Sequence, residues 1–398
     1  MRFSMSNDMN IRNMIHDAIN RMVFDKIPDV FLVGGYIRDI LIGRKPRDRD
    51  YAVKNDPLKS AEIIKGYIGG TIVVLKDGLT VRIALKDNTT VDFTRYENRI
   101  EEDLSRRDFT INAIAFSPET GLYDPFNGIS DLRNQIVTML GEGNMRNDPV
   151  RIIRAYRFAG ELNGTIDEKT RDVLRRFRDL LREMPSERIT LEFLKTLESD
   201  AAVRALREML DDGVLGVVIP LDYNELELRC NKILEIIKKN EVLHKKNKET
   251  FTHGLCSFKA LLMLEVLINN TDLKETLLRL PNRIVKRIGT FSNAIDLPIP
   301  AGDDHKGLYD FFSAAGDAVI DILVVRGRED LIGLAERFMD TRDNPVISGD
   351  DVMEILSIKG GPLVGEVIRE VDRLRFAGTI STRTEALSYV MKRYGKIS

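Results

Sequence analysis

The period of the apolar positions changes near residue 148. Before that point five short runs rich in Val and Ile read as strands: FLVGG (31–35), DYAVK (50–54), TIVVL (71–75), TVRIALK (80–86) and TVDFTR (90–95). KDG (76–78) and KDN (86–88) supply turns between the last three. Helical spacing occupies 8–24, 36–42 and 57–67, so this part predicts an α/β domain with a small sheet. From 148 onward, DPVRIIRAYRFAGEL, EKTRDVLRRFRDLLREM and SERITLEFLKTLES repeat apolar residues at i, i+3 and i+4, and Ser186 reads as a helix start. Helices continue to residue 398, broken at LDYN (221–224), INNTD (268–272), LPIPAGDD (297–304) and NPVISG (344–349).

Length and composition narrow the class. A chain of 398 residues exceeds what one core usually serves, so roughly two to four domains are expected. With 43% hydrophobic and 31% charged residues, and no run near the ~18 apolar residues of a membrane span, a soluble, cytoplasmic protein without a membrane partner is expected. MRFSMSNDMNIRN lacks a basic region followed by an apolar core and is not read as a signal peptide. Cys230 and Cys256 have neither CxxC spacing nor a histidine cluster and are read as inert core thiols. The net charge of −2 conceals 60 basic residues, so charge alone does not decide about nucleic acid.

The chemistry concentrates in VGGYIRDILIGRKPRDRDYAV (33–53). GGYIRD lacks the third glycine of a dinucleotide loop. Asp48 and Asp50 are spaced to share one face of a strand. The bland alternative is an exposed acidic strand end. The sharper reading is a site for divalent metal, because hard Mg²⁺ prefers carboxylate oxygens together with nucleotide phosphates. Asp92 in TVDFTR is the candidate third acid, and three carboxylates converge if its strand pairs beside 48–53. Gly34 and Gly35 would let the backbone approach a triphosphate, with Arg38 aimed at the anion.

GGYIRDILIGRKPRDRD, RRDFTINAIAF (106–116), DPFNGISDL (124–132), NDPVRIIRAYRFA (147–159) and SERITLEFLK (186–195) together resemble the class II, bacterial-type tRNA nucleotidyltransferases. That family comprises CCA-adding, CC-adding and A-adding enzymes and bacterial poly(A) polymerases. The motifs occur in the family's order across 31–195, and NPVISGDDVMEILSIKGGPLVGEVIREV resembles its last helical segment. The resemblance implies an α/β nucleotidyltransferase head with a polymerase-β-like small sheet over 1–140. After it would come an all-helical neck with the base-reading element (141–200), a body (201–290) and an RNA-binding tail (291–398). It implies tRNA, CTP and ATP as partners and Mg²⁺ as cofactor. Asp48 and Asp50 would be the metal ligands that activate a primer 3′-hydroxyl and neutralise leaving pyrophosphate.

By the same resemblance Arg107, Asp108 and Asn112 contact the nucleotide's ribose and phosphates; the alternative is a helix start capped by Asp and Thr. Asp148 and Arg151, assisted by Arg154, would read the base edge, or else form an ordinary helix-surface ion pair. Asn147 stands where the family usually has Glu, which leaves open what orients Arg151. DPFNGISDL, with Asp124, Gly128 and Asp131, reads as a hinge, and Glu187 and Arg188 as braces of the neck. Only YENRIEEDLS separates TVDFTR from RRDFT, where full CCA-adding members carry a longer flexible loop. This leans the reading toward CC addition, with full CCA addition, A addition and poly(A) synthesis as alternatives. A non-catalytic RNA-binding protein is the rival from another class, and the intact acidic pair argues against it. An HD-type hydrolase site is not expected on ligand count: it needs a histidine ahead of a His-Asp pair, and of His16, His244, His253 and His305 only His16 precedes an Asp, with no histidine before it. KKNEVLHKKNK (238–248), Arg283, Arg287, Arg373 and Arg375 are candidates for RNA phosphate contacts.

Overall fold

The structure, a computed structural model, describes residues 17–54, 56–75, 79–239 and 256–395. Seven strands form one sheet: Val30–Val33 (β1), Arg49–Val53 (β2), Thr71–Leu75 (β3), Thr80–Ala84 (β4), Thr90–Arg95 (β5), Ala115–Ser117 (β6) and Gly121–Tyr123 (β7). Their order is β3-β4-β5-β2-β1-β6-β7. Every pairing is antiparallel except β2 with β5, where Asp50 lies opposite Asp92 and Tyr51 opposite Phe93. The five expected strands are all present. The two added ones, β6 and β7, have three residues each and close on β1 through Leu32–Phe116 and Val33–Ala115, which period-counting over so few residues does not reveal.

Alternation along β2 and β5 separates structure from chemistry. Tyr51 stacks on Phe93 at 5.4 Å, and Phe24 of the helix Ala18–Lys26 meets Tyr51 edge-on at 6.3 Å. The helix Pro57–Ile68 starts with Pro at its first turn and an Asp56 cap on Leu58 N–H, as its sequence predicts. On the other face Val33, Ala52, Tyr96, Ile100, Leu104, Ala113 and Ala115 pack together, and this is the side to which Asp50 belongs.

After the short parallel pair Ile136–Val137 (β8) and Thr165–Ile166 (β9), the elements among the described residues are helices. The helix Arg151–Leu162 packs on Ser186–Glu198 and Ala202–Asp211. The helix expected at Ser186 begins at that residue, preceded by Pro185 in extended conformation. These elements and the sheet form one compact unit that extends through Cys230 and includes Lys274–Arg279.

The second unit contains Asn231–Leu273 and Leu280–Ser398. Phe312, Phe338 and Phe376 centre one part of it, and Val352, Val367, Val371 and Val390 another. The breaks expected at 268–272, 297–304 and 344–349 fall between its helices. Arg287 is not a surface RNA contact: its guanidinium is buried between Glu265 and Asp321, both fully buried. Arg375 is likewise engaged, donating to the Thr341 and Asn344 carbonyls. Cys230 and Cys256 are buried, as expected of core thiols, and form no disulfide among the described residues. The stretch 240–248 and His253 lie outside the described residues.

Candidate active site

A cavity of about 940 Å³ opens within the first unit. Every expected site residue except Gly34 and Asp92 lines it, namely Gly35, Arg38, Asp48, Asp50, Arg107, Asp108, Asn112, Asp148, Arg151 and Arg154. Residues separated by more than a hundred positions in the chain therefore share one enclosure.

Its floor is the acidic pair. Asp48 precedes β2 rather than lying in it, and its Oδ1 accepts from the Thr90 N–H (2.9 Å) and hydroxyl (3.0 Å) at the start of β5. Asp50 sits within β2, where burial pushes its carboxyl up to about 6, with Arg107 opposing and Asp92 and Asp48 adding to the rise. Neither carboxylate forms an ion pair among the described residues, so both keep oxygen donors for a hard divalent metal. Asp92 is placed differently. Arg82 holds both its oxygens, Nε to Oδ1 at 2.8 Å and Nη2 to Oδ2 at 2.7 Å. The strand pairing expected for Asp92 is present, yet no group of three or more His, Cys, Asp or Glu forms a metal cage among the described residues. Asp92 thus lies opposite Asp50 with both its oxygens engaged by a guanidinium fork, whereas Asp48 and Asp50 are not so held.

Gly34 shows why glycine stands beside this floor. Its φ of 78° is a left-handed conformation, and a Cβ there would lie 2.6 Å from Arg107 Nη1 and 3.6 Å from Asp50 Oδ2. The helix Gly35–Leu41 follows with no side-chain cap. From it Arg38 gives Nη1 to Asn112 Oδ1 at 2.7 Å and Nε and Nη2 to Asp39.

One wall is a continuous polar network. Asp108 Oδ1 accepts from Asn112 Nδ2 and from the Phe109 N–H, each at 2.8 Å, while its Oδ2 accepts from Arg154 Nε (2.8 Å) and Nη2 (2.6 Å). Burial works to raise the Asp108 carboxyl, but Arg154, Asn112 and the Phe109 amide together outweigh it and hold it at about 2. The guanidinium groups of Arg157, Arg38 and Arg154 lie over the Phe158 ring at 4.3, 4.8 and 5.3 Å. Arg107, Asp108 and Asn112 are thus brought together, although Asp108 has both oxygens engaged within the protein.

DPFNGISDL serves this wall as a brace. Asp124 accepts from the Gly128 and Ile129 amides, Asp131 accepts from the Thr110 hydroxyl, and a Cβ on Gly128 would fall 2.1 Å from the Thr110 carbonyl oxygen. The close packing fixes the turn Thr110–Asn112 that carries Asn112.

Asp148 and Arg151 meet at the cavity mouth, with Asp148 just ahead of the helix that Arg151 begins. Their Oδ2–Nε separation is 3.7 Å. Arg151 is oriented by main chain: Nη1 donates to the carbonyls of Arg106 (2.9 Å) and Arg107 (3.1 Å). This supplies the support left open by Asn147, whose side chain is exposed. Asp148 Oδ2 also accepts from Arg188 Nη2 at 2.9 Å.

Two further domain-level likenesses bear on this geometry. The Poly A polymerase head domain matches residues 30–138, and the probable RNA and SrmB-binding site of polymerase A matches 164–221. Over these stretches the chain resembles the tRNA nucleotidyltransferase and poly(A) polymerase family. It is 27% identical over 394 residues to a CC-adding tRNA nucleotidyltransferase of Synechocystis sp., covering 92% of this chain and 94% of the relative. It is 28% identical over 386 residues to a CCA-adding enzyme of Geobacillus sp., covering 90% and 91%. The Thermotoga maritima CCA-adding enzyme, solved in complex with tRNA, has the same fold, with a TM-score of 0.72 at 21% identity over 98% of this chain and 99% of that one. The nucleotidyltransferase head expected from the motifs is present, followed by helical elements.

Sequence reasoning missed several contributors to the nucleotidyltransferase site. Arg82 gave no motif signal, although its place opposite Asp92 follows once β4 pairs with β5. Arg157, Glu192 and Lys195 also line the cavity. Arg188 was assigned to bracing, yet Arg188, Glu192 and Lys195 recur at i, i+4 and i+7 along Ser186–Glu198, a spacing that could have marked one polar face.

Proposed function

We propose that this chain extends tRNA 3′ ends without a template, adding C from CTP and stopping after the second C. The observation that carries the reading is the sharing of one cavity by the acidic pair and the Asp148–Arg151 pair. Asp148 Oδ1 is buried and has no hydrogen-bond partner among the described residues, so it is left to accept from an exocyclic amino group. Arg151, with Nη1 anchored on carbonyls, has a planar donor edge left for the neighbouring ring nitrogen. C and A present an amino donor beside a ring acceptor, whereas U and G present the reverse, so this pair can stand in for a template base.

Asp48 and Asp50 fit Mg²⁺, which when bound would neutralise charge on the phosphates and lower the pKa of a coordinated hydroxyl. The protein's own part is positioning: Thr90 fixes Asp48, Gly34 lets Arg107 approach Asp50, and Arg38 and Arg107 present positive charge for phosphate. The limit at CC is supported by the segment 96–105. Tyr96, Ile100 and Leu104 are buried, Tyr123 donates to Glu101 at 2.6 Å, and Arg107 holds Asp103. A segment bound at so many points has little freedom to rearrange between C and A.

The test is incorporation of each single labelled nucleotide, with Mg²⁺, into tRNA transcripts ending at the discriminator base, after C and after CC. C on the first two and no A on the third is the expected result. A on the third, or a complete CCA end, refutes the limit while keeping the family reaction; long A tails on unrelated RNA identify a poly(A) polymerase.

A further inference from the structure

We infer that Arg188 is a positioning residue that sets which base the cavity accepts, by fixing the direction in which Asp148 presents its free oxygen. The inference rests on the reading of Asp148 as the base-facing acceptor. It begins with an asymmetry in that carboxylate: Oδ2 takes Arg188 Nη2 at 2.9 Å and faces Arg151 Nε at 3.7 Å, whereas Oδ1 is buried and unpartnered among the described residues.

A carboxylate rotates readily about its last bond, so an acceptor direction has to be imposed from outside. Arg151 cannot impose it alone, because its Nη1 is spent on the Arg106 and Arg107 carbonyls and its Nε stands beyond hydrogen-bond distance. Arg188 reaches in from the helix Ser186–Glu198, a different element from the one Asp148 precedes, and is about half exposed. Its role is therefore not needed to bury a core. With Arg188 removed, the carboxylate is free to turn toward Arg151 and pair with it more closely. That would withdraw the acceptor from the base and consume the donor edge of Arg151 as well. CTP would lose its matched partners, and UTP, which offers a carbonyl where CTP has its amino group, would no longer face a fixed negative oxygen.

The experiment measures CTP and UTP binding by titration calorimetry, and single-nucleotide incorporation into tRNA, for the full chain and for Asp148→Ala, Arg188→Ala, Arg188→Gln and Arg188→Lys. Arg188→Ala is expected to lower the CTP:UTP preference by about ten- to a hundredfold, the range commanded by residues that orient a ligating group, mainly through KM for CTP. Arg188→Lys should recover part of it. A neck that merely loosened would lower kcat for both nucleotides equally, and that result with an unchanged ratio overturns the inference. If Asp148→Ala destroys the preference while Arg188→Ala and Arg188→Gln leave it intact, Arg188 has no such role and the base-facing reading survives. If Asp148→Ala leaves the preference intact, the base-facing reading fails and the inference falls with it. Should Arg188→Ala melt early, the Gln variant, which keeps a polar but shorter side chain and removes its charge, decides by the same ratio.

Discussion

Replacing Asp108 by Asn is the sharpest test of how the nucleotide wall is built. The substitution keeps shape and removes one charge from a group whose oxygens accept from Arg154, Asn112 and the Phe109 amide. The folded carboxyl is held at about 2 against an ordinary 3.8. Two pKa units at roughly 1.4 kcal/mol each give about 2–3 kcal/mol of stability carried by the ionised form. Because the folded value is depressed, this contribution is present above pH 3.8 and disappears as the pH falls through about 2. Urea unfolding followed by circular dichroism, for both proteins between pH 8 and pH 3, reads it directly. The expected difference is about 2–3 kcal/mol and flat from pH 8 to pH 5, shrinking below pH 4. Arg154 adds to the loss, since its remaining acidic partner, Glu192, lies at 3.4 Å. A difference under about 1 kcal/mol at pH 7, or one that grows as the pH falls, would refute the assignment of Asp108 as an ionised, fully satisfied hub.

Three other outcomes are expected. Asp48→Asn and Asp50→Asn should each lower nucleotide incorporation by about a hundredfold or more with an unchanged far-ultraviolet spectrum, and chelation of divalent metal should do the same to the unmodified protein; activity surviving both would remove the acidic pair from the mechanism. Gly34→Ala, at φ 78° and with Arg107 Nη1 in the way of the new Cβ, should cost about 1–2 kcal/mol in a melting experiment and lower turnover, whereas Gly35→Ala, whose new Cβ would meet Arg38 Nη2 at an ordinary contact distance of 3.6 Å, should cost less. In the second unit, burial raises the carboxyls of both Glu265 and Asp321, and Arg287 opposes the rise. Stability tied to raised carboxyls is complete at low pH and lost as pH rises, so Arg287→Met should destabilise by about 3–5 kcal/mol near pH 8 and less near pH 5; an equal loss at both pH values would contradict this.

Several parts of the site could be read from local sequence because they depend on neighbours in the chain. Asp48 and Asp50, Gly35 and Arg38, and Asp148 and Arg151, each pair close in the chain, meet in one cavity. The long strands and most helix breaks were legible for the same reason, since period and turn chemistry are properties of short windows. β6 and β7 were not, because strands of three residues carry too few alternations and exist by pairing, β6 with β1 and β7 with β6.

What the chain by itself determined is which chemical groups are supplied: two carboxylates one residue apart, an arginine-rich wall and an acid-arginine reading pair. Which of those groups stay available was decided by the fold. Arg82 engages Asp92 only because β4 lies beside β5, Asp108 is spent on Arg154 only because the helix Arg151–Leu162 closes over it, and Arg188 reaches Asp148 from 40 positions away. Sequence spacing governs directions along one element, whereas charge pairing and burial depend on distances between elements, and those come into being only when the chain packs.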